Sequence, residues 1–291
     1  MHVQTRLFMP MLWVTLTASC ALSGSLVFER LDQYVASYFK EFADFSNEQK
    51  RQIETFTADY QNLFARQQLP KLNSVLIALK SLDRENPKPS VLVAYRYGHS
   101  LLRTTNEFFE MRFVLLAKTL SDEQIQQIEQ TFIGAEADRA NAREKDTRPF
   151  AERVEDRYIK GFKRIGLKLN EKQRQIVRHS TNDMHQLAPA WRIAQKNWVD
   201  ALIALLLKRH ELGFDEALIT HLRAQQTLGG VEFQEKMRAN QDQTVNVIAQ
   251  IFAQGSDKQI TAFVKKLDFY VGVIDRILAR RQIQLDDGLA R

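Results

Sequence analysis

The stretch Leu120-Ser121-Asp122-Glu123-Gln124-Ile125-Gln126-Gln127-Ile128 decides how this chain is read, because its grammar recurs at three other places. A small polar residue stands where it can cap a helix, Gln follows three residues later, and an apolar residue follows four after that. The copies are Phe45-Ser46-Asn47-Glu48-Gln49 leading to Ile53, Leu169-Asn170-Glu171-Lys172-Gln173 leading to Val177, and Gly255-Ser256-Asp257-Lys258-Gln259 leading to Phe263. Each has the form of a capping box. The Ser or Asn side chain accepts from an orphan N–H of the first turn, and the Gln reaches back to the N–H of the cap residue. The cap alone is worth about 1 kcal/mol. The boxes say where helices begin and carry no chemistry of their own.

Between the boxes the chain also reads as helix. Gly and Pro are scarce, 11 and 6 in 291 residues, and no alternating apolar run bounded by turn residues is long enough to be a strand. Residues 26–42 carry Leu31, Tyr34, Val35, Tyr38 and Phe42 at helical steps. The helix after the first box has a seam of Ile53, Phe56, Tyr60 and Leu63, and Pro70 should kink or break it. After Asn86-Pro87-Lys88-Pro89, Ser90 is placed to cap a long helix with the seam Val91, Tyr95, Leu102, Phe109, Phe113 and Leu116. The second box leads to Ile125, Ile128, Phe132 and Ala135. Gly166 suits a helix C-cap, and Ala188-Pro189 interrupts the helix after the third box. The cleanest pattern follows the fourth box, from Ile260 through Phe263, Leu267, Tyr270 and Ile274 to Leu278. The expectation is an all-α chain of roughly eight to ten long helices, antiparallel across short connections in a bundle-like arrangement.

Residues 1–20 read as an export signal. His2 and Arg6 precede the apolar run from Leu7 to Leu16, which is shorter than the about 20 apolar residues a membrane-spanning helix needs. Cys20, the only cysteine, follows Ala18 and Ser19 and resembles the lipid-modified cysteine of a bacterial lipobox, with Thr17 where that pattern usually has Leu. The alternative is ordinary cleavage near Ser19-Cys20-Ala21. Lipidation makes membrane lipid the expected partner through Cys20, with the chain on the periplasmic side. The outer membrane is the expected destination, since no Asp follows Cys20.

The polar stretch 136–148 marks a boundary between residues 21–145 and 146–291, as two halves or as one continuous domain. Laying Phe45 on Leu169 brings Gln49 onto Gln173, Ile53 onto Val177, Tyr34 onto Tyr158, Val35 onto Ile159 and Tyr38 onto Phe162. That is the mark of a duplication, or of any two amphipathic helices compared over a few positions. The unequal spacing excludes a solenoid of fixed period.

Catalytic and metal signatures are absent. Among the six histidines only His179 and Asp183 fall on one helical face, short of the three protein ligands of a catalytic zinc site. There is no HExxH, phosphate-binding glycine loop or GxSxG elbow. Carboxylates such as Glu107 and Glu110 are not assigned a catalytic role. The chain is expected to be no enzyme, to hold no cofactor or metal, and, being exported, to bind no nucleic acid. Formal charge is +6, and residues 160–178 hold Lys160, Lys163, Arg164, Lys168, Lys172, Arg174 and Arg178 against Glu171 alone. Such a stretch either attracts anionic head groups or is a solvated face balanced by acids of neighbouring helices.

The Tyr-rich first helix, Phe45-Ser46-Asn47-Glu48-Gln49-Lys50, Leu69-Pro70 and Gly166-Leu167-Lys168-Leu169-Asn170-Glu171-Lys172-Gln173, together with the lipobox, resemble a family of gammaproteobacterial lipoproteins classed as a domain of unknown function. Where that family commonly has Trp before the third box, this chain has Tyr158 or Phe162. The resemblance covers nearly the whole mature chain and implies an exported, lipid-anchored, all-helical protein with no known catalytic residues. The boxes are more distantly similar to the Leu-Thr-x-x-Gln motifs of the Spy and CpxP periplasmic stress proteins, with Ser or Asn in place of Thr. That likeness implies a holdase-like chaperone in the envelope stress response as the alternative to an interaction or scaffold protein. A chaperone needs exposed apolar seams, whereas a scaffold does not.

Overall fold

All four boxes form as reciprocal bonds. Gln49 N donates to Ser46 Oγ at 3.2 Å and Ser46 N to Gln49 Oε1 at 2.8 Å. The same exchange joins Ser121 and Gln124 at 3.2 and 3.0 Å, Asn170 and Gln173 at 3.0 and 2.9 Å, and Ser256 and Gln259 at 3.3 and 2.9 Å. In the computed structural model, which describes residues 27–283, these boxes open α2 (Asn47–Leu63), α5 (Asp122–Lys145), α7 (Glu171–Ser180) and α11 (Asp257–Arg280). The other helices are α1 (Leu31–Lys40), α3 (Leu69–Lys80), α4 (Lys88–Ala117), α6 (Phe150–Arg164), α8 (Ala188–Leu207), α9 (Phe214–Ala224) and α10 (Gly230–Ala253). The described residues therefore hold eleven α-helices and no strand, an all-α packing as expected. The signal segment 1–20 and Cys20 lie outside the described residues.

Both prolines stand at the helix breaks expected of them, and two other boundaries differ from the sequence reading for local reasons. α2 gives way ahead of Pro70, as expected, through a widened turn that leads into α3. The five residues Phe64–Gln68 open into a π turn, in which the Leu69 N–H reaches Phe64 O, and Pro70 then sits in the first turn of α3, where its missing N–H costs nothing. Pro189 likewise lies in the first turn of α8. Ser90 is not a cap: α4 already begins at Lys88 with Pro87 at the N-cap, because Pro89 is pre-set for a first turn. The polar stretch after Ala135 stays helical to Lys145, laced by ion pairs of Glu136 with Arg139 at 3.3 Å and Arg143 at 2.7 Å. The chain turns only at residues 146–149.

Packing mixes the two sides of that turn. One core gathers Ile53, Val114, Leu120 and Ile125 with Trp198, Leu206, Phe214 and Leu218. A second joins Phe162, Leu169, Val177, Ile251, Phe263 and Leu267 to Val91. A third packs Tyr60, Phe64, Leu69 and Leu101 against Val273, Ile274 and Ile277 of α11. Positions matched in the two halves share an environment at Phe45 and Leu169, both 5% exposed, and at the buried Ile53 and Val177. Tyr34 is exposed where Tyr158 is half-buried.

Gly166 caps α6 as expected. Leu167 N bonds Phe162 O at 2.9 Å and Gly166 N bonds Lys163 O at 3.1 Å, with Gly166 at φ +82. A Cβ there would stand 2.8 Å from the backbone oxygen of Ala262 in α11. Gly166→Ala should cost at least about 2 kcal/mol, the left-handed penalty plus the clash. Gly213→Ala, at φ +79 with nothing near its Cβ, should cost only about 1 kcal/mol. Urea unfolding of the two variants measures the difference.

Candidate functional site

The box glutamines do more than close their own helices. Once Gln has capped, its side chain retains two N–H donors and a free lone pair, and in the fold these meet the amide of another box. Gln49 Nε2 donates to Gln124 Oε1 at 3.0 Å and Gln124 Nε2 returns the bond to Gln49 Oε1 at 2.8 Å. Gln259 Nε2 donates to Gln173 Oε1 at 2.8 Å and Gln173 Nε2 to Gln259 Oε1 at 3.4 Å. The remaining donors reach backbone: Gln124 Nε2 bonds Asp44 O at 2.9 Å, and Gln259 Nε2 bonds Lys168 O at 2.6 Å. Asp44 and Lys168 stand at the same distance before Gln49 and Gln173 in the sequence. The dyads differ in their other acceptors: Gln49 Nε2 donates to Thr119 O at 2.9 Å and Thr119 Oγ1 at 3.2 Å, whereas Gln173 Nε2 donates to Ile251 O at 3.1 Å. Neutral amides that satisfy one another, with Gln49 and Gln173 buried and Gln124 and Gln259 half-buried, offer no proton to transfer. Their chemistry is positional, tying the start of α2 to that of α5 and the start of α7 to that of α11.

Glu107 and Glu110, neighbours on α4 to which the sequence assigns no catalytic role, line a surface cleft of about 420 Å³ with Arg223 and Gln226. Glu110 is buried at 6% exposure and accepts from Arg223 Nε at 2.8 Å, while Glu107 lies 3.8 Å from Arg103. Each carboxylate faces a guanidinium, and no histidine, cysteine or hydroxyl lines the cleft. The arrangement pins α4 to α9.

His179 and Asp183 do not share a helical face. α7 ends at Ser180 and Thr181–Asp183 is a 3-10 turn, since the Ser180 and Thr181 hydroxyls bond back to Val177 O at 2.7 Å and Arg178 O at 2.6 Å. His179 Nδ1 lies 3.1 Å from Gln175 O, and no group of three metal-ligating side chains occurs among the described residues. His221 is the histidine with an unusual setting. Its ring stacks on Trp198 at 4.9 Å, its Nε2 lies 2.9 Å from Trp198 O, and the Trp198 indole N–H bonds His221 O at 2.9 Å. Burial depresses its pKa below the usual 6.5, only partly opposed by the bond to Trp198 O. The folded chain therefore binds fewer protons than the unfolded one between that lowered value and about 6.5. This stability is present above about 6.5 and is lost as pH falls through the folded value. The melting temperature should fall on acidification from neutral pH, and His221→Phe, which keeps a ring on Trp198, should flatten that slope.

The basic stretch divides into paired and unpaired cations. Lys160 meets Asp156 at 2.6 Å, Arg178 meets Glu155 at 2.9 Å and also Glu171, and Arg174 lies 3.8 Å from Glu171. Lys163, Lys168 and Lys172 are exposed and make no ion pair among the described residues. No helix among the described residues is long and apolar enough to cross a membrane.

No curated protein matches the chain, and no solved structure does. The sequence model of a family described as "Family of unknown function (DUF6279)" matches residues 41–234, from the end of α1 into α10 and across the first three boxes. With more than half of its length matched, the chain belongs to this family of unknown function, DUF6279.

Proposed function

We propose that the protein is a lipid-anchored component of the bacterial cell envelope that acts by interaction, as a scaffold, and carries no enzymatic activity. One observation carries the choice over a holdase-like chaperone: the seams behind the boxes are covered. Phe132 and Phe263 are 8% and 2% exposed, and Phe56 is half-buried near the Arg112 guanidinium, 6.0 Å from its ring centre. The large apolar side chains that do reach solvent lie on several elements, among them Ile77 on α3, Ile133 on α5 and Leu212 in the loop before α9, with Val93, Met111 and Leu115 on α4, the last two one turn apart. An unfolded client needs a contiguous apolar concavity. The non-enzymatic reading is supported by the chemistry of the dyads and by the guanidinium set against each carboxylate of the cleft.

Anchoring through Cys20 places the helical body on the periplasmic side, with the outer membrane as destination. Mass spectrometry of membrane fractions is expected to find acylated Cys20 at the mature N-terminus, and an unmodified soluble chain beginning after Ala21 would refute the anchor. The scaffold reading expects no suppression of aggregation when the protein is mixed with an equimolar denatured client. Suppression at that ratio, lost on Phe56→Ser or Ile133→Ser, would put the chaperone in its place.

A further inference from the structure

We propose that the solvent-facing stripe of α11, together with the adjoining α6–α7 connection, is a docking surface for an anionic lipid bilayer. α11 segregates its charges. Its acids turn toward α3 and the residues just after it: Asp257 meets Arg84 at 2.6 Å, Asp268 meets Lys80 at 2.6 Å, and Asp275 accepts from Asn73 Nδ2 at 3.0 Å. Three of its exposed cations, Lys258, Lys265 and Arg280, make no ion pair among the described residues. At about 100° per residue they fall within about 60° of one another on the helix, and no carboxylate lies in that sector.

The α6–α7 connection extends the stripe sideways. Gly166 packs directly against Ala262 and Lys266, and Lys168 O is held by Gln259 Nε2 at 2.6 Å. This brings the unpaired Lys163, Lys168 and Lys172 beside the first turns of α11. Glu155 and Glu171, acids of the helices on either side, are engaged by Arg174 and Arg178.

The far end of the stripe lies where the described chain begins. Arg281 pairs with Glu29 at 2.9 Å and sits 5.2 Å over the Phe28 ring. The chain from Cys20 to Phe28 reaches at most about 29 Å when fully extended, and α11 is about 36 Å long. An acyl anchor on Cys20 would therefore keep that end of α11 within about 29 Å of the anchor point, with the row of cations within reach of the same surface. This part of the argument rests on the anchoring reading; the charge segregation does not.

The test uses the full chain carrying Cys20→Ser, sedimented with vesicles of phosphatidylcholine alone or of phosphatidylcholine with phosphatidylglycerol. Neutral vesicles register whatever the apolar leader contributes, and anionic vesicles should bind more tightly. That preference should vanish between about 0.1 and 1 M salt, as the screening length shrinks from about 10 to 3 Å. A basic residue close to an anionic surface contributes about fivefold in partitioning, so Lys168→Glu, Lys258→Glu and Lys265→Glu together should reduce it at least about a hundredfold. The corresponding Gln triple guards against misfolding of the reversal and should give most of that loss. A control of equal charge change, Lys50→Glu with Lys145→Glu and Lys208→Glu, should keep the preference. The proposal is overturned by equal binding to both vesicle types, by equal loss in stripe and control variants, or by binding to a soluble polyanion such as heparin without binding to anionic vesicles. Anionic preference in the Cys20→Ser chain would survive a finding that Cys20 is not acylated, and acylated Cys20 without that preference would remove the docking surface alone.

Discussion

Gln173→Ala should destabilise the protein by about 3–5 kcal/mol, far more than loss of a helix cap, which costs about 1 kcal/mol. The side chain is 0% exposed. Its oxygen accepts from Asn170 N at 2.9 Å and from Gln259 Nε2 at 2.8 Å, and its amide donates to the carbonyl of Ile251 at 3.1 Å. Truncation orphans the buried Ile251 carbonyl, at about 1–3 kcal/mol, strips one bond each from the exposed Asn170 and the half-buried Gln259, and leaves a cavity at a fully buried position. Ser121→Ala removes a cap at an exposed position and should cost about 1 kcal/mol. Urea denaturation of both variants gives the comparison, and a Gln173→Ala cost near that of Ser121→Ala would mean that the dyad adds nothing to the cap.

Leu206→Ala should cost about 3–5 kcal/mol and leave a single unfolding transition. Leu206 is 0% exposed, at the centre of the core that joins α8 and α9 to α2, α4 and α5. Because that core draws on residues from both sides of the turn at 146–149, the loss should be felt throughout. Tryptophan fluorescence, to which the half-buried Trp191 and the buried Trp198 contribute, and far-UV circular dichroism should then give one midpoint. Two separated midpoints would show that residues 27–145 and 146–283 unfold independently.

The boxes were legible in the sequence because each is closed by bonds between residues three apart, and local bonds need only local information. Their pairing was not legible. Gln49 meets Gln124 across 75 residues and Gln173 meets Gln259 across 86. The available signal was the unspent hydrogen-bonding capacity of a capping Gln next to apolar positions, which demands a partner once buried. Tertiary packing also set Pro70, where a π turn let the helical path continue and Tyr97 OH took the Gln68 carbonyl at 3.0 Å. The His179–Asp183 spacing assumed a helix that local hydroxyl bonds bring to an end. Glu107 and Glu110 were visible as neighbours on a helix, but only the fold brings Arg223 to them across 113 residues from Glu110. For the basic stretch, composition showed seven cations and one acid, while the sorting of paired from unpaired depended on Glu155 and Asp156 of α6. Cys20, the one site residue read from sequence, lies outside the described residues.

The central claim is that four capping boxes organise the fold by working as two specific pairs. A set of double-mutant cycles among the box glutamines tests it most directly, with each residue changed to Ala and stability measured in urea. Within the pairs Gln49–Gln124 and Gln173–Gln259, the single-variant costs should depart from additivity by about 1–2 kcal/mol, as expected for residues sharing hydrogen bonds. Across the pairs, as in Gln49 with Gln259, they should add to within about 0.5 kcal/mol. Additive costs in both within-pair cycles would contradict the account and reduce the boxes to four independent helix starts.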